Sequence, residues 1–310
     1  MASNHIGMFA PLTGIYEPSA VQQLAEGRFL VVEDEKEHPF SLLTLAADGS
    51  VRSAALKQGL LQRVMQRDDD FWKLDDLEGL AVDRAGFIYA LTSHSRTGDG
   101  DEKKSRDKLV RFRIEGECVV QTSVVTSLKP ALMVAHPVLA QAAAIREVKN
   151  EGGLNIEALE VSPDQQQLLI GLRSPLLSQR AIIARVDNFT AAFDADAQPS
   201  IAALYTLDLD GNGIRGLSYI PALGGYLVIS GPVAREQIHF QLWFWSGQAD
   251  APARRVSVPG LVGFEHAEGI SPAVIEGKSY ILIVSDEGSR EEKRCARYLL
   301  IDPAQLQIEP

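Results

Sequence analysis

The sequence predicts an all-β fold, a β-propeller with five blades, built as one domain over residues 1–310. Three observations predict it. Short apolar runs broken by turn residues dominate the chain. Five stretches repeat one layout. A single stretch has the composition of a helix.

In order, the apolar runs are RFLVVED, FSLLTLA, FIYALTS, KLVRFRI, CVVQTSVV, QLLIGLRS, AIIARVD, SIAALYTLDL, YLVISG, FQLWFWSG, RRVSVPG, SYILIVSD and RYLLID. Each has the length of a strand and is rich in β-branched or aliphatic residues. Turn residues separate them, as in AADGS, DRAG, SPDQQ, DGNG and IEGK. The helix is PVLAQAAAIREVK, residues 137–149, which opens on proline and has an alanine-rich body. Leu139, Ala142 (or Ala143), Ile145 and Val148 share one face of it. A doubly wound α/β fold needs several such helices, so one argues against that class.

The repeats decide the architecture. They are EPSAVQQLAEGRFLVVEDE from Glu17, EGLAVDRAGFIYALTSH from Glu78, EALEVSPDQQQLLIGLRS from Glu157, RGLSYIPALGGYLVISG from Arg215 and EGISPAVIEGKSYILIVSDE from Glu268. Their first residues stand 61, 79, 58 and 53 positions apart. Each begins with a polar residue, continues as a small apolar strand, turns, and ends a second strand in polar groups. About two further strand candidates follow each one. The longest interval contains the predicted helix and the polar run SRTGDGDEKKSRD. The last unit lacks a clear fourth strand, and residues 4–9 are expected to supply it and close the ring. Six or seven blades are the competing count, with a degenerate blade between residues 105 and 151. A two-domain sandwich gives no reason for five similar hairpins.

In a propeller the first strand of each blade lines the axis, so equivalent residues form a ring. The predicted ring is Glu17, Glu78, Glu157, Arg215 and Glu268. Four carboxylates and one guanidinium would then converge at one mouth, and burial raises the cost of their repulsion. Arg215, a divalent cation or protonation must compensate. The plainer reading is that each glutamate accepts backbone N–H groups from the neighbouring blade. In an antiparallel hairpin the end of the second strand lies beside the start of the first. The same rim therefore receives Asp34, Ser93, His94, Arg96, Arg173, Asp286 and Glu287. Asp76, Asn155 and His266, each two residues before its glutamate, frame it.

These residue types suggest a chemistry. Glu17, Glu78, Glu157, Glu268 and Asp286 are the candidate metal ligands, with calcium the expected ion and magnesium second. Arg96, Arg173 and Arg215, with Ser93 and His266, are the candidate groups for a small anionic substrate. Hydrolysis would use Glu78 or Glu157 as base and His94 as acid. The run DLDGNG, residues 208–213, has part of a calcium-loop pattern and reads better as a tight turn. Residues 98–107 read as a polar loop beside the rim, either a lid or a solvated connection. Ser93 and His94 are adjacent in a strand and point to opposite faces, which argues against a serine triad. Trp243, Phe244 and Trp245 alternate in a strand as packing between blades would require.

The bulk numbers exclude some classes. Thirty basic residues stand against 41 acidic ones, a net charge of −11. Non-specific nucleic-acid binding and an anionic membrane both call for a basic surface. The opening MASNHIGMFAPLTG lacks a signal-peptide pattern, and no long apolar run marks a membrane span. Cys118 and Cys295 read as reduced thiols, which together predicts a cytoplasmic protein.

Several of these segments resemble the DUF3616 proteins, an uncharacterised bacterial family. They are LEGLAVDRAGFIYALTSHSR with KLVRF after it, NIEALEVSPD, DLDGNGIRGLSYIP and HAEGIS. The resemblance covers most of the chain and implies a propeller-like β fold without an assigned activity. More loosely, the EGLA hairpin is similar to the esterase-like domain named after phytases, which implies a phosphoester substrate. The leading expectation is therefore binding, with metal-assisted hydrolysis, of a small phosphoester-like anion at the rim. The alternative is a non-catalytic ligand- or protein-binding propeller with a structural glutamate ring.

Overall fold

Five sheets radiate from one axis in the computed structural model of the chain, which describes residues 8–34, 38–46, 48–59, 70–234, 239–264 and 266–310. A short strand, β1 (Ala10–Pro11), precedes the first blade. Blade one is β2 (Pro18–Gln23), β3 (Phe29–Glu33), β4 (Phe40–Leu45) and β5 (Val51–Ala55). After β6 (Lys57–Gln58), blade two runs through β7 (Leu77–Val82), β8 (Ile88–Thr92), β9 (Leu109–Glu115) and β10 (Cys118–Val125). Blade three is β11 (Asn155–Val161), β12 (Leu168–Ser174), β13 (Ala181–Val186) and β14 (Tyr205–Leu207). Blade four is β15 (Gly213–Ile220), β16 (Gly225–Gly231), β17 (Gln241–Trp245) and β18 (Arg254–Ser257). Blade five is β19 (Ala267–Ile275), β20 (Lys278–Ser285) and β21 (Arg297–Ile301). The last strand, β22 (Gln307–Ile308), returns to the outer edge of blade four, and β6 pairs parallel with β10 at the edge of blade two.

The N-terminal segment closes the ring, at residues 10 and 11 rather than at 4–9. Ala10 pairs with Tyr298 and Pro11 with Arg297, so β1 is the fourth strand of blade five. Of the predicted closing segment 4–9, residues 4–7 lie outside the described residues.

The blade count follows from the core. Five apolar clusters are present, one between each neighbouring pair of blades. In β3, Leu30 and Val32 face blade two, and Phe29 and Val31 face blade five. Successive residues of a strand point to opposite faces. A strand packed on both faces is therefore apolar throughout, which is why the runs lack polar alternation.

The expected helical insertion is present; the predicted helix over 137–149 breaks after Ala144 and resumes at Val148, and another helix precedes it, three in all. They are α1 (Leu128–Ala135), α2 (Pro137–Ala144) and α3 (Val148–Glu151). The chain turns at Ile145, which is extended, and the Leu154 N–H returns to the Ala142 carbonyl. Leu139, Ala142, Ala143 and Val148 are buried as expected. The run SIAALYTLDL forms strand only at Tyr205–Leu207, after a six-residue helix, α4 (Phe189–Asp194), that the sequence reading missed although Phe189, Ala192 and Phe193 have helical spacing. Both cysteines are free. Among the described residues no helix is long and apolar enough to cross a membrane.

Candidate functional site

The ring is built by a repeated defect. Each first strand carries a register shift just before its small residue, and the five residues displaced there line one cavity. The shifts fall at Ser19, Glu78, Glu157, Arg215 and Glu268. A bulge leaves its residue out of the ladder and bends the strand, so the side chain is aimed at the mouth. A small residue and an aliphatic one follow each time: Ala20-Val21, Gly79-Leu80, Ala158-Leu159, Gly216-Leu217 and Gly269-Ile270. The small residue is required by crowding. A Cβ on Gly216 would lie 2.2 Å from the Glu268 carbonyl oxygen, and one on Gly269 would lie 2.9 Å from the Val21 nitrogen.

This register corrects the predicted ring at one position. Ser19 occupies the place expected for Glu17. Glu17 is followed by Pro18 rather than by a small residue and an aliphatic one. It sits two residues upstream of the ring, with Asp76, Asn155, Gly213 and His266. Its carbonyl accepts from Asp34 N (3.2 Å), as Asp76 accepts from Ser93 N (2.8 Å) and His266 from Asp286 N (2.7 Å).

A cavity of about 370 Å³ opens above the ring. Its floor is Ser19, Glu78, Glu157, Arg215 and Glu268, with Arg173 beside them. Asp34, Asp76, Asn155 and Asp286 form the next tier. Residues 95–98 and 147–150 rise as one wall, with Arg106 behind them. The helical insertion between blades two and three thus supplies part of the mouth.

Ion pairs tie blades three, four and five together on the floor. Arg215 Nη1 lies 2.8 Å from Glu268 Oε1 and 2.8 Å from Glu157 Oε2. Arg173 Nη1 donates to Glu157 Oε1 at 3.1 Å, and Arg173 Nε donates to the Pro232 carbonyl. The approach of Arg215 to Glu157 Oε2 is out of line with an N–H bond, so that oxygen has a charge neighbour and no hydrogen bond. Glu78 has neither a hydrogen bond nor an ion pair with any described residue. Burial, then the carboxylates of Glu157, Asp76, Glu268 and Asp34, push its carboxyl well above the ordinary range. Burial raises Glu268 too, against the pull of Arg215. Asp34 is pushed up to about 6 by burial and by Asp76 and Asp75. Asp286 is pushed up to about 6 by burial and by Glu17. Protonatable carboxyls near neutral pH can exchange a proton or accept a ligand's donors.

Other rim candidates divide into those that reach the cavity and those that do not. Arg96 lines it, but its guanidinium is occupied by the carbonyls of Ala143 and Gly100 and by Glu102. It fastens the helical insertion to the rim. Ser93 is buried below the surface and donates to Asp76, whose Oδ2 also accepts from Ser95 Oγ (3.2 Å) and pairs with Arg106 Nη1 (2.9 Å). His94 turns away from the mouth. It is fully buried, its Nδ1 lies 2.7 Å from its neighbour Thr92's carbonyl, and burial pulls it down to about 4. The expected acid therefore does not face the cavity: it lies beyond the end of β8, in a left-handed backbone conformation (φ 54°), with its ring buried. His266 is exposed against Phe240, and Glu287 lies outside the cavity beside Arg297. At residues 208–213 the chain makes a tight turn, with Asp208 accepting from Asp210 N.

The sequence reading missed Ser19, Ser95, Arg106 and the residues 147–150. The recurring polar–small–aliphatic triplet was a signal for Ser19. For Arg106, brought back to Asp76 by a 3-10 turn (Lys104–Arg106), nothing local was a signal. Among the described residues no three Asp, Glu, His or Cys side chains come together closely enough to hold a metal ion.

Residues 13–230 match the family described as phytase-like, "Esterase-like activity of phytase". The chain belongs to the phytase-like family. No curated protein matches its sequence. Solved structures similar to this phytase-like chain are distant in sequence. An exo-β-1,3-galactanase from Phanerochaete chrysosporium aligns over 97% of this chain and 66% of its own, at 10% identity and TM-score 0.51. A putative oxidoreductase (glucose dehydrogenase) from Thermus thermophilus aligns over 94% and 99%, at 15% identity and TM-score 0.45. Hydrazine synthase from Kuenenia stuttgartiensis aligns over 88% of this chain and 56% of its own, at 12% identity and TM-score 0.39. The chain thus spans less than two thirds of the galactanase and of the hydrazine synthase chain. These likenesses concern the fold alone.

Proposed function

We propose that this phytase-like chain is a ligand-binding propeller that receives a small polar molecule in its axial mouth, with the glutamate–arginine ring as part of the scaffold. One observation carries the reading. The cavity of about 370 Å³ is the size of a small-molecule site and is lined by convergent polar groups, some still lacking partners. The ion pairs of Arg173 and Arg215 hold three blades in place around it and account for much of the ring as structure. The free cysteines support a reducing, cytoplasmic setting. The narrower kinship with the DUF3616 proteins, resting on the LEGLAVD, NIEALEVSPD and HAEGIS segments, is part of the same proposal.

Family membership favours a second reading, hydrolysis of a phosphoester-like anion. Glu78 or Glu157 would then serve as base. A calcium ion, or magnesium, would lie among Glu78, Glu157, Glu268 and Asp286, polarising the substrate. The present side-chain arrangement fits such an ion incompletely, since Arg215 engages both Glu157 and Glu268.

The test is a two-part screen. Thermal-shift and NMR binding against a library of small polar compounds addresses the first reading. A metal-supplemented assay against phosphomonoesters, nucleotides and carboxyl esters addresses the second. Both are repeated with Glu78→Gln. We expect at least one compound class to raise Tm in a Glu78-dependent way. Failure of every compound to perturb the mouth would overturn the binding reading. A reproducible hydrolysis lost in a folded Glu78→Gln protein would move the conclusion to the second.

A further inference from the structure

The floor is asymmetric in charge. Around the axis the ring runs Ser19, Glu78, Glu157, Arg215, Glu268, in blade order. On one side the guanidinium of Arg215 sits between two carboxylates, 2.8 Å from each. On the other side Glu78 stands between the neutral Ser19 and Glu157, and no cation is placed there among the described residues.

Two groups on that side lack donors. Glu78, half-buried at the floor, has no partner among the described residues. Glu157 is 4% exposed; its Oε1 accepts from Arg173 and Asn155, and its Oε2, without a hydrogen bond, has the charge of Arg215 at 2.8 Å. Asn155, 6% exposed, gives its Nδ2 hydrogens to Glu157 Oε1 at 2.9 Å, which fixes the amide and leaves Oδ1 without a partner. Buried acceptors are rarely left in this state. Asn155 matters most here, because it is an amide and stands outside the acidic cluster.

The neighbouring guanidinium groups do not relieve them. Arg96 is spent on carbonyls and Glu102. Arg106 directs Nη1 to Asp76 and Ser95, and its Nε is buried without a partner rather than turned to these acceptors. Arg173 already serves Glu157 from its other oxygen. Lys149 is exposed on the wall and would drive a positive ligand group inward, toward the floor.

We propose that the Glu78 side of the mouth binds a small organic cation, its primary ammonium or guanidinium head seated against Glu78 and Asn155, beside Glu157. The head would do for Glu78 what Arg215 does for Glu157 and Glu268. An ammonium brings three N–H donors, and the two oxygens of Glu78 and Oδ1 of Asn155 are the acceptors for them. Charge-assisted bonds from such a head are among the stronger polar contacts. The inference rests on the reading of the mouth as the ligand site, and it names the class of ligand.

The test uses the full chain with putrescine and agmatine as probes. Controls are 1,4-butanediol as the neutral counterpart, succinate as the anionic one, and calcium chloride alone. Calorimetry and Tm are read at about neutral pH, where amines are charged. The amines are expected to bind and raise Tm. Glu78→Gln, which removes no existing bond, should fold normally and weaken the amines about tenfold or more, the worth of roughly one charged hydrogen bond. Ser19→Arg, which offers an internal guanidinium beside Glu78, should raise Tm and abolish amine binding. Butanediol or succinate binding as tightly as the amines would overturn the cation inference while leaving the mouth as a ligand site. Calcium binding lost in Glu78→Gln, with amines inactive, would do the same. Silence from every probe and from the wider library would overturn both.

Discussion

Glu160 offers the sharpest quantitative test of how the blades are joined. It lies on β11, buried, and reaches across to the first strand of the next blade. Its Oε2 accepts from Ser218 Oγ at 3.0 Å and from Tyr219 N at 2.8 Å, and its Oε1 accepts from Val161 N at 2.8 Å. Burial pushes the carboxyl from 4.5 up to about 7, and these bonds pull back only in part. The sign follows from linkage. Below about pH 4.5 the group is protonated in both states and contributes no pH dependence. Between 4.5 and about 7 the unfolded chain releases the proton while the folded one keeps it, so stability falls as pH rises. Above that window the penalty is constant, at about 3 kcal/mol. Glu160→Gln has no proton to release. It keeps an acceptor for Tyr219, and it turns a donor toward Val161 N, a loss of about 1 kcal/mol that does not vary with pH. The assay is urea unfolding of both proteins from about pH 4.5 to pH 8. Relative to wild type, the variant should gain about 3 kcal/mol across that range. A flat difference, or a carboxyl NMR titration with an ordinary midpoint, would refute the reasoning.

Two further substitutions probe the ring. Arg215→Gln removes both ion pairs and leaves Glu157 and Glu268 buried without their shared cation, which should cost about 3–5 kcal/mol by urea unfolding at neutral pH. Stability within about 1 kcal/mol of wild type would show that the pairs are not structural. Gly216→Ala forces a methyl against the Glu268 carbonyl and should cost about 3 kcal/mol. Gly98→Ala, with nothing within 4 Å of the added carbon, should change stability by less than about 0.5 kcal/mol. Equal effects from the two would rule out crowding as the reason for the small residue.

The blades were readable because their strands are buried on both faces. FLVV within RFLVVED and YLVI within YLVISG are continuous apolar runs of strand length, bounded by polar or turn residues. The ring was readable to within one residue, since Glu78, Glu157, Arg215 and Glu268 share their neighbours. Glu17 drew attention because it is charged, whereas the geometry selects by the next two residues: Ser19 precedes Ala20 and Val21, and Glu17 precedes Pro18. Side-chain partners were not readable. Whether Arg96 faces a ligand or a carbonyl depends on where residues 143 and 100 come to rest, and both are set by tertiary packing of the insertion. The same holds for His94. Its place just after β8 was evident, but the strand stops at Thr92 and His94 takes a left-handed backbone conformation, so strand alternation did not give its direction.

The two explanations offered for the glutamate ring, scaffold and site, are consequences of one constraint. Five first strands meeting at an axis come close enough that one position in each must be small, as the 2.2 Å approach at Gly216 requires. Opposite the hairpin partner, the residue before it is displaced into a bulge and loses its ladder bonds. A side chain freed in this way points down the axis in every blade, whatever its chemistry. Closing the ring therefore creates a polar mouth, and the residue types only determine its charge. Arg215 balances one half of that mouth from within the chain. The half around Glu78 has no such internal counter-charge among the described residues, and the insertion that carries Lys149 and Asn150 lines the same opening.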